Sequence, residues 1–276
     1  MTAQPQAHAP AATPAPDDAP LVLRQDADGI CTLTLNRPNK FNALSIDLLT
    51  ELQNALDTVA ADPAIRVVVL AANGRAFCAG HDLKEMRADP GEDAMRALFT
   101  QCGRMMQTIA SLPQPVIARV HGIATAAGCQ LVAQCDLAVA VEEARFATSG
   151  INVGLFCSTP MVPVTRNLPR KQAMEMLLTG DFMDAPTALQ YGLVNKVVPA
   201  DQLDAAVAEL AGKIAAKSPI SIKLGKQLFY TQLEHGLAAA YDQAVQTMTC
   251  NMMTEDAQNG IDAFNAKQHM PEWKGR

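Results

Sequence analysis

Two short segments rich in alanine and glycine carry the residue pattern that points most directly to chemistry. The first, residues 75–86, is RAFCAGHDLKEM, and the second, residues 121–131, is HGIATAAGCQL. Each follows a strand-like run, and small residues at such a turn let a backbone N–H group come close to a ligand. Two N–H groups directed at one oxygen atom form an oxyanion hole, which stabilises negative charge developing on a carbonyl oxygen.

The second segment also predicts the start of a helix near Ala127. The first turn of a helix presents N–H groups that have no intrahelical partner, and it lies at the positive end of the helix dipole. Negative charge on a substrate oxygen would be stabilised there, with each well-placed donor lowering the barrier by roughly 3–4 kcal/mol in a dry site. The alternative is that the two segments are an ordinary turn and an ordinary helix start.

Strands and helices alternate through the first part of the chain, and these elements must position both segments. Ser45 is a candidate N-cap for a helix with Leu48, Leu49, Leu52 and Leu56 at helical spacing. The strand-like runs are 21–35, 65–71, 115–120 and 137–141, and further helices are expected at 94–109 and from about residue 127. This alternation predicts an α/β fold with parallel strands covered by helices.

From about residue 165 the pattern becomes almost entirely helical, and no linker separates this part from the strands. The expected helices are 171–178, 185–191, 202–216, 220–249 with a possible break near His235, and 256–267. Within the longest of them, apolar residues recur at helical spacing, at Ile220, Leu224, Leu228 and Leu233. We therefore expect a helical layer that follows the sheet-forming part of the chain.

Composition sets the outer bounds of function. The 276 residues are 49% hydrophobic with a formal charge of −6, and no apolar run approaches the roughly 18–20 residues of a membrane span. Lysine and arginine do not cluster, so neither nucleic acid nor an anionic membrane is an expected partner. Residues 1–20 are rich in proline and alanine and lack the features of a secretory signal. They contain no arginine, which also counts against a mitochondrial presequence. We expect them to form a disordered tail.

Cysteine usage bears on metal sites and on compartment. The seven cysteines are scattered and contain no CxxC pair, at Cys31, Cys78, Cys102, Cys129, Cys135, Cys157 and Cys250. This spacing supports neither a zinc site nor a disulfide framework, so we expect no metal and a reducing compartment, the cytoplasm. Cys129 and Cys135 lie among apolar residues and are expected in the core.

Together, segments 75–86 and 121–136 resemble the two signature loops of the enoyl-CoA hydratase/isomerase (crotonase) superfamily. The resemblance extends over about residues 21–270. It implies a spiral of ββα units over about 21–200 and a helical C-terminal layer over about 201–270, in one domain at 21–276. It also implies that the backbone amides of His81 and Ala127 form the oxyanion hole and polarise a thioester carbonyl so that an enolate can form.

Two expected carboxylates are missing from this resemblance. The positions where hydratases carry their catalytic glutamates match Gln130 and Gly150, which is the pattern of the hydratase domain-containing subgroup that lacks both. Gln130 lies one helical turn beyond Ala127, and its neutral amide can orient a water molecule but cannot accept a proton as a base must. Gly150 has no side chain and is expected to contribute only space.

The resemblance also implies where CoA binds. Arg37 and Lys40 in the first turn, Lys84 after the first loop, and Phe264 with Lys267 near the C-terminus match places where crotonases contact CoA. In the family the last pair usually reaches the ligand of a neighbouring subunit, so we expect a homotrimer or a dimer of trimers. No separate cofactor is expected, because CoA is part of the substrate. Each lysine taken alone has the simpler interpretation of a solvated surface charge.

Several polar side chains near these positions have two interpretations. The His81 ring could be an acid or base, or it could pack beside Asp82 or donate a hydrogen bond to it. Thr148, Ser149, Asn152, Cys157 and Ser158 could line the pocket, or they could make ordinary loop and cap hydrogen bonds. Cys157 would need a lowered pKa to act as a nucleophile, and no sequence feature indicates one.

These observations favour a protein that binds acyl-CoA thioesters. The first hypothesis is an enzyme of the lyase/isomerase type in fatty-acid metabolism, in which hydration itself is weak because Gln130 and Gly150 replace the glutamates. It would use another proton-handling group, or a malonyl-type acyl group that loses CO2. The alternative is a non-catalytic protein that holds or sequesters acyl-CoA.

Overall fold

Two β-sheets of mostly parallel strands organise the chain. The computed structural model describes residues 19–276, so part of the expected tail, residues 1–18, lies outside the described residues. The strands are β1 Val22–Ala27, β2 Ile30–Leu35, β3 Val67–Ala72, β4 Ala76–Cys78, β5 Val116–Val120, β6 Ile123–Thr125, β7 Leu137–Val141, β8 Arg145–Ala147, β9 Met183–Asp184 and β10 Lys196–Val198.

Helices cover these sheets and form the C-terminal layer. They are α1 Ile46–Ala60, α2 Leu83–Ala88, α3 Glu92–Ser111, α4 Ala127–Gln134, α5 Ser158–Asn167, α6 Arg170–Thr179, α7 Ala185–Tyr191, α8 Leu203–Ala215, α9 Pro219–Gln232, α10 Leu237–Met252 and α11 Glu255–Asn265. Among residues 19–276, none of the helices has the length and apolar character needed to cross a lipid bilayer.

From β3 to β8, consecutive strands lie alternately in the two sheets. The larger sheet has the order β1-β2-β3-β5-β7-β10, and the smaller has the order β4-β6-β8-β9. Pairing is parallel except between β1 and β2 and between β8 and β9. Three times the chain passes from a strand of the larger sheet to one of the smaller sheet and then into a helix. This repeat is the ββα spiral, and it confirms the predicted α/β architecture.

Local sequence signals account for the first helix. The Ser45 side chain accepts a hydrogen bond from the Leu48 N–H, which caps α1 as predicted. Its apolar face is buried in the core through Leu48, Leu49, Leu52, Leu56 and Val59. Burying a leucine side chain stabilises the fold by roughly 1.5–3 kcal/mol, so this face fixes α1 against the sheet.

The C-terminal layer is fastened to the sheet-forming part by a buried cluster around Asp136. Lys226 of α9 donates to Asp136 Oδ2 at 2.7 Å and to the Ile109 and Gln114 carbonyls at 2.9 Å. The Tyr230 hydroxyl donates to Asp136 Oδ1 at 2.8 Å. A buried ammonium group pairs here with a partly buried carboxylate, which fixes the position of α9 relative to the core.

Element boundaries differ from the sequence predictions in ways that have physical causes. The run 21–35 is a hairpin whose turn, Asp28-Gly29, has positive φ at both residues, and 220–249 is two helices broken near His235 as predicted. The short strands of the smaller sheet and helices α2 and α5 were not predicted. Strands of three residues are too short to show alternation, and Pro160 and Pro163 within α5 indicate a loop when taken alone.

Candidate active site

The candidate site lies where three neighbouring parallel strands end. In the smaller sheet β4 pairs with β6 and β6 with β8, and the segments after these strands carry His81, Ala127 and Gly150. The carboxyl ends of parallel strands meet at one edge of a sheet, where ligands commonly bind in α/β proteins. The topology therefore brings together three positions that are far apart in the sequence.

A cavity of about 400 Å³ occupies this edge. Its lining is mostly apolar and comprises Ala79, His81, Leu83, Met86, Phe99, Ala126, Ala127, Ser149, Gly150, Val153, Leu155, Phe156, Cys157, Ser158, Thr159 and Pro160. Neither aspartate nor glutamate is among these described lining residues. Of the polar pocket candidates, Ser149, Cys157 and Ser158 line the cavity, whereas Thr148 is buried and donates to the Met176 carbonyl. Asn152 donates a long hydrogen bond to the Gly180 carbonyl.

The two loops touch through their glycines. Gly80 has φ +93°, and a Cβ on it would lie 2.8 Å from the Ala126 Cβ and 3.3 Å from the Ala127 nitrogen. A Cβ on Gly128 would overlap the Cys78 carbonyl oxygen. Only glycine permits either approach, so these two residues allow α4 to begin directly against β4 and the first loop.

A strained alanine sets the direction of the first amide of α4. Ala126, the N-cap of α4, has φ +50° and ψ −120°, which is a rare conformation for a residue with a side chain. Its own N–H donates to the Ala147 carbonyl at 2.9 Å, which holds the turn in place. Such strain typically costs about 1–3 kcal/mol and is characteristic of functional sites. Neither the Ala127 nor the His81 N–H donates a hydrogen bond to another described residue.

The His81 ring packs beside the cavity and forms no hydrogen bond with Asp82. Its plane meets the Phe99 ring at 70° with centroids 5.6 Å apart, and both ring nitrogens are buried without a hydrogen-bond partner among residues 19–276. Burial lowers the pKa of His81, and the nearby Leu44 carbonyl, which does not reach hydrogen-bond geometry, opposes this only in part. The imidazole is therefore neutral at physiological pH.

The two positions that lack glutamate differ from each other in their surroundings. Gln130 is buried at 3% exposure, does not line the cavity, and its Oε1 has no partner among the described residues. Gly150 does line the cavity, but the expectation that it leaves open space is wrong. A Cβ on Gly150 would lie 2.5 Å from the Leu155 carbonyl oxygen and 2.9 Å from Cys157 Sγ.

The five predicted CoA-contacting residues lie in different environments. Arg37 is paired with Asp82 and also donates to the Ala43 carbonyl at 3.0 Å. Lys40, Lys84 and Lys267 are exposed and form no ion pair with another described residue, and Phe264 is 71% exposed. The apolar wall formed by Val153, Leu155 and Phe156 was not predicted, because the sequence around it shows neither helical nor strand periodicity.

Comparison with known proteins identifies the family. The family model described as enoyl-CoA hydratase/isomerase matches residues 25–276. The chain belongs to the enoyl-CoA hydratase/isomerase family. The predicted crotonase resemblance is thereby confirmed, and the two glycine-containing loops of this family member are the ones that meet at the cavity.

Solved structures and curated relatives support the same assignment. The crystal structure of an enoyl-CoA hydratase from Mycobacterium smegmatis is 55% identical, with a TM-score of 0.91 over 92% of this chain and 99% of that one. Human enoyl Coenzyme A hydratase domain-containing protein 3 is 44% identical, with a TM-score of 0.89 over 92% of this chain and 100% of that one. The mitochondrial enoyl-CoA hydratase domain-containing protein 3 of Xenopus laevis is 45% identical over 92% of this family member and 86% of its own length.

These relatives overturn the expected cytoplasmic location. The vertebrate proteins similar to this family member, from Xenopus laevis to human, are named mitochondrial. The expectation depended on the scattered cysteines without a CxxC pair and on the absence of arginine from residues 1–20. The same cysteines suit any reducing compartment, so they do not distinguish the cytoplasm from an organelle interior.

Proposed function

We propose that this protein binds acyl-CoA thioesters and polarises the thioester carbonyl with the N–H groups of His81 and Ala127. The observation that carries the proposal is the cavity at the ends of β4, β6 and β8, which both residues line and where neither N–H has another partner among the described residues. Backbone donors of this kind stabilise an enolate oxygen and do not depend on the missing glutamates.

The lining of the cavity also indicates which reactions are slow. Hydration of an enoyl group needs a base for water and an acid for the carbon, each contributing typically ~10²–10⁴-fold. The described lining holds no carboxylate that could serve in either role. We propose an enzyme of the family whose hydration activity is weak and whose main reaction forms a thioester enolate by another route.

A malonyl-type acyl group is the second candidate substrate. Loss of CO2 leaves its electron pair on the α-carbon, so the enolate forms without a base and the oxyanion hole alone lowers the barrier. The absence of a carboxylate base from the described lining favours this candidate over hydration. A protein that binds acyl-CoA without turnover would have the same lining. Measured turnover distinguishes this non-catalytic protein from an enzyme that hydrates or decarboxylates its substrate.

The test combines binding with turnover. Calorimetry with acetoacetyl-CoA should show binding, and crotonyl-CoA hydration should fall several orders of magnitude below a typical enzyme of about 10 per second. Malonyl- and methylmalonyl-CoA are then assayed for CO2 release. No heat with any CoA thioester would refute the proposal, and binding without turnover of any substrate would support the non-catalytic alternative.

Self-association is a further part of the proposed function. Helix α10 exposes Leu237, Tyr241, Val245 and Met248 along one face, at 62–78% exposure, and Phe264 of α11 is also exposed. An apolar face of this extent is characteristic of an interface between subunits. We propose a homotrimer in which Phe264 and Lys267 contact the CoA bound to a neighbouring subunit. Light scattering that returned a monomer at micromolar concentration would contradict this.

A further inference from the structure

The thiol of Cys157 lies where a side chain at position 150 would begin. A Cβ built on Gly150 would be 2.9 Å from Cys157 Sγ. The Gly150 backbone N–H acts to lower the pKa of this thiol. Because Gly150 has no side chain, the Cys157 thiol can pack directly against the backbone of the segment that follows β8. In a chain with a larger residue at 150, this sulfur would have to move.

Cys157 and His81 are the titratable side chains among the described residues that line the cavity. Both His81 ring nitrogens are buried, so this imidazole does not present a nitrogen to a ligand. Cys129 of α4 is the other titratable group near the sulfur, and it is completely buried. None of the lining residues within 19–276 carries a charged side chain, which leaves the Cys157 thiol as the group best placed to exchange a proton with a ligand.

We propose that Cys157 is a catalytic residue that carries a proton to and from the α-carbon of the bound acyl-CoA thioester. The inference rests on the proposed function, because the N–H groups of His81 and Ala127 must hold the thioester oxygen for the α-carbon to lie in this cavity. Those amides and the cavity indicate a ligand independently of the thiol.

The proposed step conserves atoms and electrons without a co-reactant other than water. The Cys157 thiolate removes an α-proton, so an S–H bond forms and a C–H bond breaks. The C–H electron pair enters the enolate, whose oxygen accepts hydrogen bonds from the two amides. The thiol exchanges its proton with solvent, and the reverse step returns a solvent-derived proton to the α-carbon. An enolate produced by another route would be protonated by the same thiol.

The surroundings of the sulfur determine the pH dependence. Burial raises the pKa of the Cys157 thiol, and the Gly150 N–H opposes this by stabilising the thiolate. The thiolate fraction therefore grows from neutral to alkaline pH and levels off above the usual range for cysteine. A mechanism based on His81 would behave differently, because burial lowers the pKa of that imidazole and it is already deprotonated at neutral pH.

The test measures deuterium incorporation at the α-carbon of butyryl-CoA in D2O by mass spectrometry. Incorporation by the wild-type protein should rise between about pD 7 and 9, as expected for a thiolate base. Cys157→Ala and Cys157→Ser should each lose at least ~100-fold of this rate, because neither supplies a base of suitable pKa. The control is Cys250→Ala, which changes an exposed thiol on α10 and should exchange at the wild-type rate.

Calorimetry with butyryl-CoA and thermal melts accompany each variant. The inference is supported if both Cys157 variants bind like the wild type but no longer exchange, and Cys157→Ser suffices if the alanine variant does not fold. It is overturned if a folded variant keeps the wild-type rate and pH profile, or if the wild type binds butyryl-CoA without exchange. Failure of every CoA thioester to bind would instead refute the proposed function.

Discussion

Arg37 Nη1 lies 2.9 Å from Asp82 Oδ2, and this ion pair ties the first turn of the chain to the loop that carries His81. The two side chains are 23% and 15% exposed, so the pair is shielded from solvent far more than a typical surface pair. Asp82 also caps α2 by accepting hydrogen bonds from the Lys84 and Glu85 N–H groups. Arg37 therefore fixes the loop that carries His81, whose amide we propose as one donor of the oxyanion hole.

Arg37→Gln should destabilise the protein by about 1–2 kcal/mol, because Asp82 loses a charged partner in a partly buried position. Urea denaturation at pH 7 measures this. The control is Arg96→Gln, since Arg96 pairs with Glu92 at 69% and 84% exposure and should change stability by less than about 0.5 kcal/mol. Equal losses in the two variants would contradict the structural role of the Arg37–Asp82 pair.

The Arg37 effect should also depend on pH. Partial burial tends to raise the pKa of Asp82, but the Arg37 hydrogen bond and the Glu85 and Lys84 amides outweigh it and lower that pKa. A carboxyl group with a lowered folded-state pKa contributes stability above its unfolded value, about 3.9, and loses it as the pH falls through the folded value. The difference between wild type and Arg37→Gln should therefore shrink below about pH 4. A difference that stays constant down to pH 2.5 would contradict this.

Gly150→Ala should destabilise the protein by about 1–3 kcal/mol, because its methyl group would meet the Leu155 carbonyl oxygen and the Cys157 sulfur. Gly103→Ala is the matched control. A Cβ on Gly103 meets nothing within 4 Å, and this substitution inside α3 should stabilise by about 0.5–1 kcal/mol. Thermal melts compare the two, and an unchanged melting temperature for Gly150→Ala would show that the 155–157 segment moves freely.

The close approach of Leu155 and Cys157 to Gly150 also affects how hydration activity could be restored by mutation. Gln130 does not line the cavity, but it lies one helical turn beyond Ala127, which does. Gln130→Glu places a carboxylate of similar size beside the cavity, so it should raise crotonyl-CoA hydration above the wild-type rate. Gly150→Glu should raise it less and lower the melting temperature, since it must displace Leu155 or Cys157. The assay uses saturating crotonyl-CoA, with a melt of each variant. A larger gain from Gly150→Glu than from Gln130→Glu would show that the second segment adapts readily.

Ala126→Gly should stabilise the protein or leave it unchanged, although alanine-to-glycine changes usually destabilise. The substitution removes the strain of φ +50°, which offsets the greater flexibility of glycine in the unfolded chain. Ala133→Gly, within the same helix α4, should instead lose about 1 kcal/mol. Chemical denaturation measures both, and similar losses would indicate that the Ala126 turn stores no strain.

Lys226→Met should cost about 3–5 kcal/mol, because it leaves the Asp136 carboxylate without its cationic partner. The control is Lys223→Met on the same helix, where the lysine is exposed and its loss should change stability by less than about 0.5 kcal/mol. Guanidinium unfolding monitored by circular dichroism gives both values. A small loss in Lys226→Met would mean that α9 is held to the core mainly by its apolar contacts.

Local signals in the sequence were sufficient for parts of the fold and of the site. Ser45 as an N-cap and the break near His235 depend on neighbours within a few residues, so the sequence predicts them. The loops around His81 and Ala127 were identified by their small residues. The Arg37–Asp82 pair joins residues 45 apart in sequence, and no periodicity encodes such a contact. Cys157 approaches Gly150 through an irregular turn whose conformation depends on packing against the rest of the molecule.

Each turn of the spiral contributes one segment to the cavity, and this separation has an evolutionary consequence. The first two turns carry the amides of His81 and Ala127, which we propose as the carbonyl-binding donors and which any residue type except proline provides. The third turn supplies the side chains after β8. Selection can therefore alter the segment after β8 and leave the carbonyl-binding part intact. Exchange of residues 148–158 between members of the family would then transfer proton chemistry as a module, with the affinity for the thioester inherited from the recipient chain.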